Sequence, residues 1–288
     1  MAVNCNTCES DNKKYLFNKN KHAVVKCTDC GLVYIENPMS LKETKKHYEQ
    51  EYYTGKNGAA STSCYASGEE FRSMEANKRL DKLPSVHYLL DVGCGMGHFV
   101  MASEKRGIKS IGTDISENAV EYGKSKGLNL IQGDLLSLDN FAEESFDMIT
   151  FWASIEHLHK PKQTLLKAHN LLKKYGMLII ETGDINSYQA LFFRNNWRLI
   201  KPDHNFYYSS ATLDHLLTDT GFKTIHTEHD GFVEGIIAQL NLSDLVLNKF
   251  AESSKESKKA TSSLKIKVNE FASNLHLGDV MIKYAVKN

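Results

Sequence analysis

A chain of 288 residues, 41% hydrophobic and 24% charged, can bury one sizeable core with room for a small extra lobe. Its 35 basic and 35 acidic residues balance, which removes any global electrostatic drive toward nucleic acid or an anionic membrane. No apolar run approaches the roughly 18 residues needed to span a bilayer, and the polar start MAVNCNTCESDNKK lacks the apolar core of a signal peptide, so a cytoplasmic location is expected.

Four of the six cysteines fall in the first 30 residues, as Cys5 with Cys8 and Cys27 with Cys30. The 18 residues between the pairs suffice for a hairpin, with strands expected at Tyr15 to Phe17 and Ala23 to Lys26. Four thiolates brought together close a tetrahedral site and leave no open position, which suits structural zinc rather than catalysis. Residues 1–38 are therefore expected to form a zinc ribbon. A lobe that small is held by its metal, whose binding is worth about 10 kcal/mol or more in zinc-finger peptides. The alternative is a set of scattered free thiols, and His22 is read as a surface residue. Lys13, Lys14, Lys19, Lys21 and Lys26 give the lobe a positive face, but without interleaved aromatics or arginines to stack on bases.

Residues 39–84 are expected to supply helices that cover a pocket. The spacing of Leu41, His47, Tyr48 and Tyr52 predicts an amphipathic helix over Met39 to Thr54, Gly55 to Ser63 reads as a loop, and a second helix runs from Tyr65 to Lys82.

From residue 85 to 288 short apolar runs alternate with helical patterns, the signature of a parallel α/β sheet covered on both faces. Its first strand ends in LLDVGCGMGHF, Leu89 to Phe99. Asp91 sits near the carboxyl end, and Gly93, Gly95 and Gly97 free the backbone for a tight turn where side chains would block a ligand. A dinucleotide fingerprint needs a third glycine where this chain has His98, so binding of NAD is the weaker reading.

A helix from Gly97 to Arg106 leads to a strand over Lys109 to Thr113, followed by Asp114, Ile115 and Ser116, with Ser116 able to cap the next helix. A carboxylate ending the second strand accepts from both ribose hydroxyls of a nucleoside; its plainer reading is an ordinary helix-start acid. The third strand, Leu128 to Gln132, ends at Gly133 and Asp134, an acceptor for an adenine amine that Leu135 would flank. The fourth, Phe146 to Phe151, delivers Trp152, Glu156 and His157 to the crevice side of the sheet. A helix from Pro161 to Lys174 is expected to stop at Gly176, before a strand over Met177 to Glu181. Ser209 or Ser210 caps a helix to Gly221, and strands follow at Phe222 to Thr227 and Asp279 to Val286. The insertion at about 235–277, expected to be helical at its ends, is a candidate lid, substrate wall or homodimer contact, or else a solvated appendage.

In order, LLDVGCGMGHF, IGTDIS, QGD, FDMITFWASIEHL and GMLIIET resemble the class I S-adenosylmethionine-dependent methyltransferases. The CxxC and CxxCGLVY pairs and WRLIKPDH before FYYSSATLDHLLTDTGF resemble a subgroup with an N-terminal zinc ribbon. The resemblance implies a Rossmann-like, mostly parallel sheet of seven strands with a reversed final hairpin. It also implies that Asp91, Gly93, Gly95 and Gly97 contact the methionine moiety, Asp114 and Ile115 the ribose side, Asp134 and Leu135 the adenine, with Trp152 near the cofactor.

No single acid or base is fixed by such motifs, because an in-line displacement from a sulfonium needs a base only when the acceptor must lose a proton. His157 and His204 are the candidates for that base; His157 has a competing role in bracing its loop, and His204 sits in a Pro-Asp-His-Asn loop that suits a substrate wall, while Glu156 and Glu181 are weaker. The expected activity is methylation of a small-molecule acceptor, a sugar or a cell-surface or secondary metabolite, at oxygen rather than carbon or nitrogen. The alternatives are an RNA methyltransferase that grips its substrate with the ribbon, a cofactor-binding subunit without turnover, and an NAD-dependent oxidoreductase.

Overall fold

The computed structural model describes residues 4–48, 68–232 and 277–288, with isolated positions 236, 267–269, 272 and 275. Its centre is a seven-stranded sheet built from β4 (Tyr88–Val92), β5 (Lys109–Asp114), β6 (Leu130–Gln132), β7 (Phe146–Trp152), β8 (Leu172–Gly183), β10 (Phe222–Asp230) and β11 (Val280–Lys287). The spatial order is β10-β11-β8-β7-β4-β5-β6. Strands β8, β7, β4, β5 and β6 are parallel neighbours, and β11 runs antiparallel to both β8 and β10. The expected reversed final hairpin is thus β10 and β11. Leu89, Leu90, Ile149, Phe151, Leu178 and Ile180 are fully buried, as continuous apolar runs must be when helices cover both faces.

Between the strands lie α3 (His98–Lys105), α4 (Glu117–Ser125), α5 (Pro161–Leu171) and α6 (Ser210–Asp219). Ser116 caps the Glu117–Ser125 helix by accepting from the Ala119 amide, and Ser209 with Thr212 forms a capping box on the Ser210–Asp219 helix.

The helix starting at Pro161 ends earlier than its pattern predicts, at Leu171 rather than Lys174, and Gly176 lies inside the twelve-residue strand β8. The reason is tertiary. Leu172 is fully buried opposite Phe146, and Lys173 Nζ meets Asp147 Oδ1 at 2.7 Å, which draws LLKK out of its helical preference. The ladder then jumps to Met177 opposite Met148, and the irregular stretch between includes Gly176.

A second sheet carries the cysteines. Strands β1 (Lys13–Lys19), β2 (His22–Cys27) and β3 (Val33–Ile35) form an antiparallel meander, and β9 (Phe206–Tyr207) adds to β3 with Val33 opposite Tyr207 and Tyr34 opposite Phe206. Both the Val33–Ile35 strand and its pairing with a later segment are additions to the sequence reading. Cys5, Cys27, Leu32 and Tyr34 share a core cluster with Phe206, Tyr208 and the parallel sheet.

Of the segment expected to cover a pocket, helices form over α1 (Leu41–His47) and α2 (Glu69–Asp81). Tyr52, the loop Gly55 to Ser63 and most of the 235–277 insertion lie outside the described residues. Among the described residues no helix is long and apolar enough to cross a membrane.

Candidate active site

The chain leaves β4 for β5 and β6 on one side and returns to β7 and β8 on the other, so the carboxyl ends of β4, β5 and β7 border a switch point where ligands enter open α/β sheets. A cavity of about 330 Å³ occupies that position. Asp91, Gly93, Gly95, Asp114, Ile115, Asp134, Leu135, Trp152 and His157 all line it, and Leu41, Thr44, Tyr48, Phe71 and Arg79 close it from the amino-terminal helices. His98, in place of the third fingerprint glycine, also faces it.

Gly97 does not line the cavity. With φ +81° it caps the His98–Lys105 helix, and an added Cβ would fall 2.8 Å from Leu128 Cδ1 and 3.0 Å from Leu130 Cδ1. A Cβ at Gly93 would strike Ser154 Cβ at 2.5 Å. These two glycines are therefore demanded by the close approach of helix, loop and strand, where ligand clearance was the expected reason.

Asp114 accepts from Gly95 N at 2.8 Å on Oδ2 and from Ser116 N at 2.9 Å on Oδ1. A carboxylate offers about four acceptor sites, so these two bonds leave room for a ligand donor, and Asp114 lines the cavity. Burial raises its carboxyl above the usual range, and the backbone donors work against that rise. Asp91 is buried and accepts from Thr150 Oγ1 at 2.8 Å. Burial pushes it up to about 7, opposed by the Thr150 hydroxyl and the Arg79 guanidinium and reinforced by the Asp114 charge. Asp134 caps the short turn Leu135–Ser137 through the Leu136 amide. The Trp152 ring packs on Phe99 with centroids 5.1 Å apart and lies under the Arg79 guanidinium at 4.6 Å, while Arg79 pairs with Glu181. Trp152 Nε1 is buried and has no hydrogen-bond partner among the described residues, while the ring itself lines the cavity.

The two candidate histidines come together but do not play equal parts. His157 Nδ1 lies 2.8 Å from the Asp203 carbonyl oxygen. A carbonyl only accepts, so neutral His157 carries its proton on Nδ1 and keeps a lone pair on Nε2. The Tyr48 hydroxyl, 2.8 Å from the same Nδ1, then accepts from it and donates to Asp203 Oδ2 at 3.4 Å. His204 is buried, does not line the cavity, and stands edge-on to His157 with ring centroids 4.6 Å apart at 86°. Burial pushes its imidazole well below the usual range, with the neighbouring His157 adding to the depression. Glu156 is buried, with Oε2 accepting from Thr182 Oγ1 at 2.9 Å. Sequence reasoning missed Tyr48, Asp203 and Arg79 as parts of this site. Asp203 adjoins His204 in the loop already singled out, and Tyr48 stood on the predicted helix, but neither carries a local mark of its partner.

The four cysteine sulfurs lie within 4.8 Å of one another, with Cys5 to Cys30 at 3.4 Å and Cys8 to Cys27 at 3.5 Å. A tetrahedron with Zn–S bonds of about 2.3 Å has edges of about 3.8 Å, so the donor set and its spacing fit that ion.

A family described as a methyltransferase domain matches residues 69–227, more than half of the chain. The ubiquinone biosynthesis O-methyltransferase of Saccharophagus degradans is 31% identical over 110 residues, covering 36% of this chain and 47% of that protein. The chain spans about half the length of most curated relatives it matches. The phosphoethanolamine N-methyltransferase 2 of Haemonchus contortus, solved with S-adenosyl-L-methionine, superposes with a TM-score of 0.56 at 16% identity over 88% of this chain and 61% of that one. A SAM-dependent methyltransferase of Archaeoglobus fulgidus gives 0.54 at 20% identity over 76% and 94%. The family match spans the glycine turn, Asp114, Asp134 and His157, and the superpositions carry the same sheet, so the chain belongs to the methyltransferase-domain family with the class I fold of the S-adenosylmethionine-dependent enzymes.

Proposed function

We propose that this protein transfers a methyl group from S-adenosylmethionine to the hydroxyl oxygen of a small molecule, with His157 taking the proton. The observation that carries this reading is one cavity shared by Asp91, Asp114 and His157, in which His157 has its Nδ1 occupied and its Nε2 basic. The cofactor supplies an electrophilic methyl on a sulfonium, already joined to a good leaving group. Asp114 would accept from the ribose hydroxyls, Asp134 and Leu135 would hold the adenine, and Asp91 and the Gly93 and Gly95 turn would meet the methionine end. Trp152 would lie along the cofactor from the cavity wall. Ile115 would flank the nucleoside. The chain's own contribution is alignment of the acceptor oxygen, exclusion of water beneath the Leu41–His47 helix and Tyr48, and removal of the hydroxyl proton by His157 Nε2. His204 holds the His157 ring edge-on instead of serving as the base.

Oxygen as acceptor is supported by the named function of the ubiquinone biosynthesis relative and by a base poised to deprotonate. Calorimetry with S-adenosylmethionine, S-adenosylhomocysteine and NAD tests the cofactor, and binding of NAD alone would overturn the assignment. The zinc-ribbon RNA methyltransferase reading predicts RNA affinity with a steep salt dependence, whereas balanced charge favours a small acceptor.

Ionised Asp91 would pair with the ammonium of the methionine moiety, so cofactor affinity should track its raised titration. S-adenosylhomocysteine binding is expected to weaken about tenfold between pH 8 and pH 6, as the carboxylate protonates below about 7, and Asp91→Asn should flatten that dependence. A flat wild-type profile over this range would remove Asp91 from the ammonium site.

We further assign the four cysteines a structural zinc, and place the chain in a reducing cytoplasm where such thiolates persist. Elemental analysis should find one zinc per chain. Cys27→Ser is expected to lower the stoichiometry and to lose much of the roughly 10 kcal/mol that metal binding contributes to such lobes, seen as a separate early melting step. A metal-free lobe that melts with the parent protein would refute the assignment.

A further inference from the structure

Asn205, 4% exposed, links the cysteine lobe to the turn that carries His157. Its carbonyl accepts from Ile35 N, at the end of β3, at 2.9 Å, and its own N–H donates to the Glu156 carbonyl at 2.8 Å. Its side-chain amide donates to the carbonyl of His157 at 2.8 Å and to that of Leu158 at 3.3 Å. The short turn Ile155–His157 is therefore held by Asn205 at both backbone and side chain. Two residues earlier on the same loop, the Asp203 carbonyl receives His157 Nδ1–H.

We infer that Asn205, anchored to the cysteine lobe through its backbone carbonyl, is a positioning residue whose side-chain amide holds the His157 turn and so fixes which imidazole nitrogen faces the cavity. The inference rests on the reading of His157 as proton acceptor. Strand β3 is clamped between β2 and β9, and β2 ends at Cys27, so a rigid four-cysteine site sets where Ile35 presents its N–H. Asn205 takes that position and imposes it on the His157 backbone. With the backbone fixed, Nδ1 faces three acceptors, the Asp203 carbonyl, the Tyr48 hydroxyl and, at 3.6 Å, Asp203 Oδ2, and the lone pair stays on Nε2. An apolar side chain at 205 would leave the His157 and Leu158 carbonyls without their shared donor. The turn could then rotate, and the Nδ1 contact would lose its alignment.

The test is the nitrogen spectrum of histidine-labelled full-length protein saturated with S-adenosylhomocysteine, in which His157 is identified by its loss in His157→Gln. In the parent protein His157 should show a single neutral tautomer with the proton on Nδ1. In Asn205→Ala its two nitrogens should move toward a common averaged shift, while S-adenosylhomocysteine affinity stays within about twofold and zinc content is unchanged, because neither site is touched. If Asn205→Ala does not fold, Asn205→Ser, one bond too short to reach both carbonyls, is read in the same way. Retention of the parent tautomer pattern in a folded variant overturns the inference. The proton-acceptor reading fails by a different result, full turnover in His157→Gln, so the two failures are distinguishable.

Discussion

Replacing His157 with glutamine is expected to lower kcat by about 10²-fold or more, the range that positioned proton transfer supplies, while S-adenosylhomocysteine affinity stays within about twofold. Glutamine retains bulk and an amide in place of the ring but cannot take up a proton. The residue lines the cavity, and a carbonyl and a tyrosine hydroxyl occupy its Nδ1, so Nε2 is the nitrogen available for chemistry. The assay needs an acceptor that the parent protein methylates, found by screening hydroxylated small molecules with a labelled methyl donor. His204→Ala is the matched comparison. His204 is buried behind His157, its imidazole is pushed well below the usual range, and it lies off the cavity, so its loss should cost about tenfold through loosened geometry. Normal turnover in both variants would exclude base catalysis by either histidine.

The contrast between these histidines shows what a linear chain discloses. The strand, glycine turn and helix of LLDVGCGMGHF are local, and so is the strand ending at Asp114; hydrophobic period and spacing mark both, and the sheet forms there with the expected alternation. Asp114 in particular was legible because its partners, Gly95 and Ser116, belong to the same βαβ unit. His157 and His204 were legible as candidates but not in this order. The difference lies in Asp203 and Tyr48, which meet His157 only after the chain has returned from two separate directions. Pairing of Val33–Ile35 with Phe206–Tyr207 is hidden for the same reason, since two short apolar runs far apart carry no register information until the core between them is built. The Pro161 helix shows the converse failure. Its last residues have good helical propensity, and a buried leucine with one ion pair to Asp147 outweighs a few tenths of a kcal/mol per residue.

Asp114→Ala should weaken S-adenosylhomocysteine binding about 100-fold, because hydrogen bonds to a charged acceptor are worth about 1.5–3 kcal/mol each and tenfold in affinity is about 1.4 kcal/mol. The carboxylate also orders the protein around the ligand, since its two oxygens take the Gly95 and Ser116 amides separately. That division makes Asp114→Asn an informative second variant. An amide has one accepting oxygen and one donating nitrogen, so either orientation sets its NH₂ against one of the two backbone N–H groups. The asparagine variant should therefore lose nearly as much affinity as alanine, although it preserves size and removes the cost of burying a charge. If Asp114 served only to order these two backbone groups, both variants would lower the melting temperature while affinity of the folded protein stayed near the parent's. Calorimetry on the three proteins separates the readings, and affinity within about threefold of the parent in the asparagine variant would move the ribose site away from β5. Zinc content should be unchanged throughout, because the cysteine lobe pairs with β9 and makes no ladder with the strand that carries Asp114.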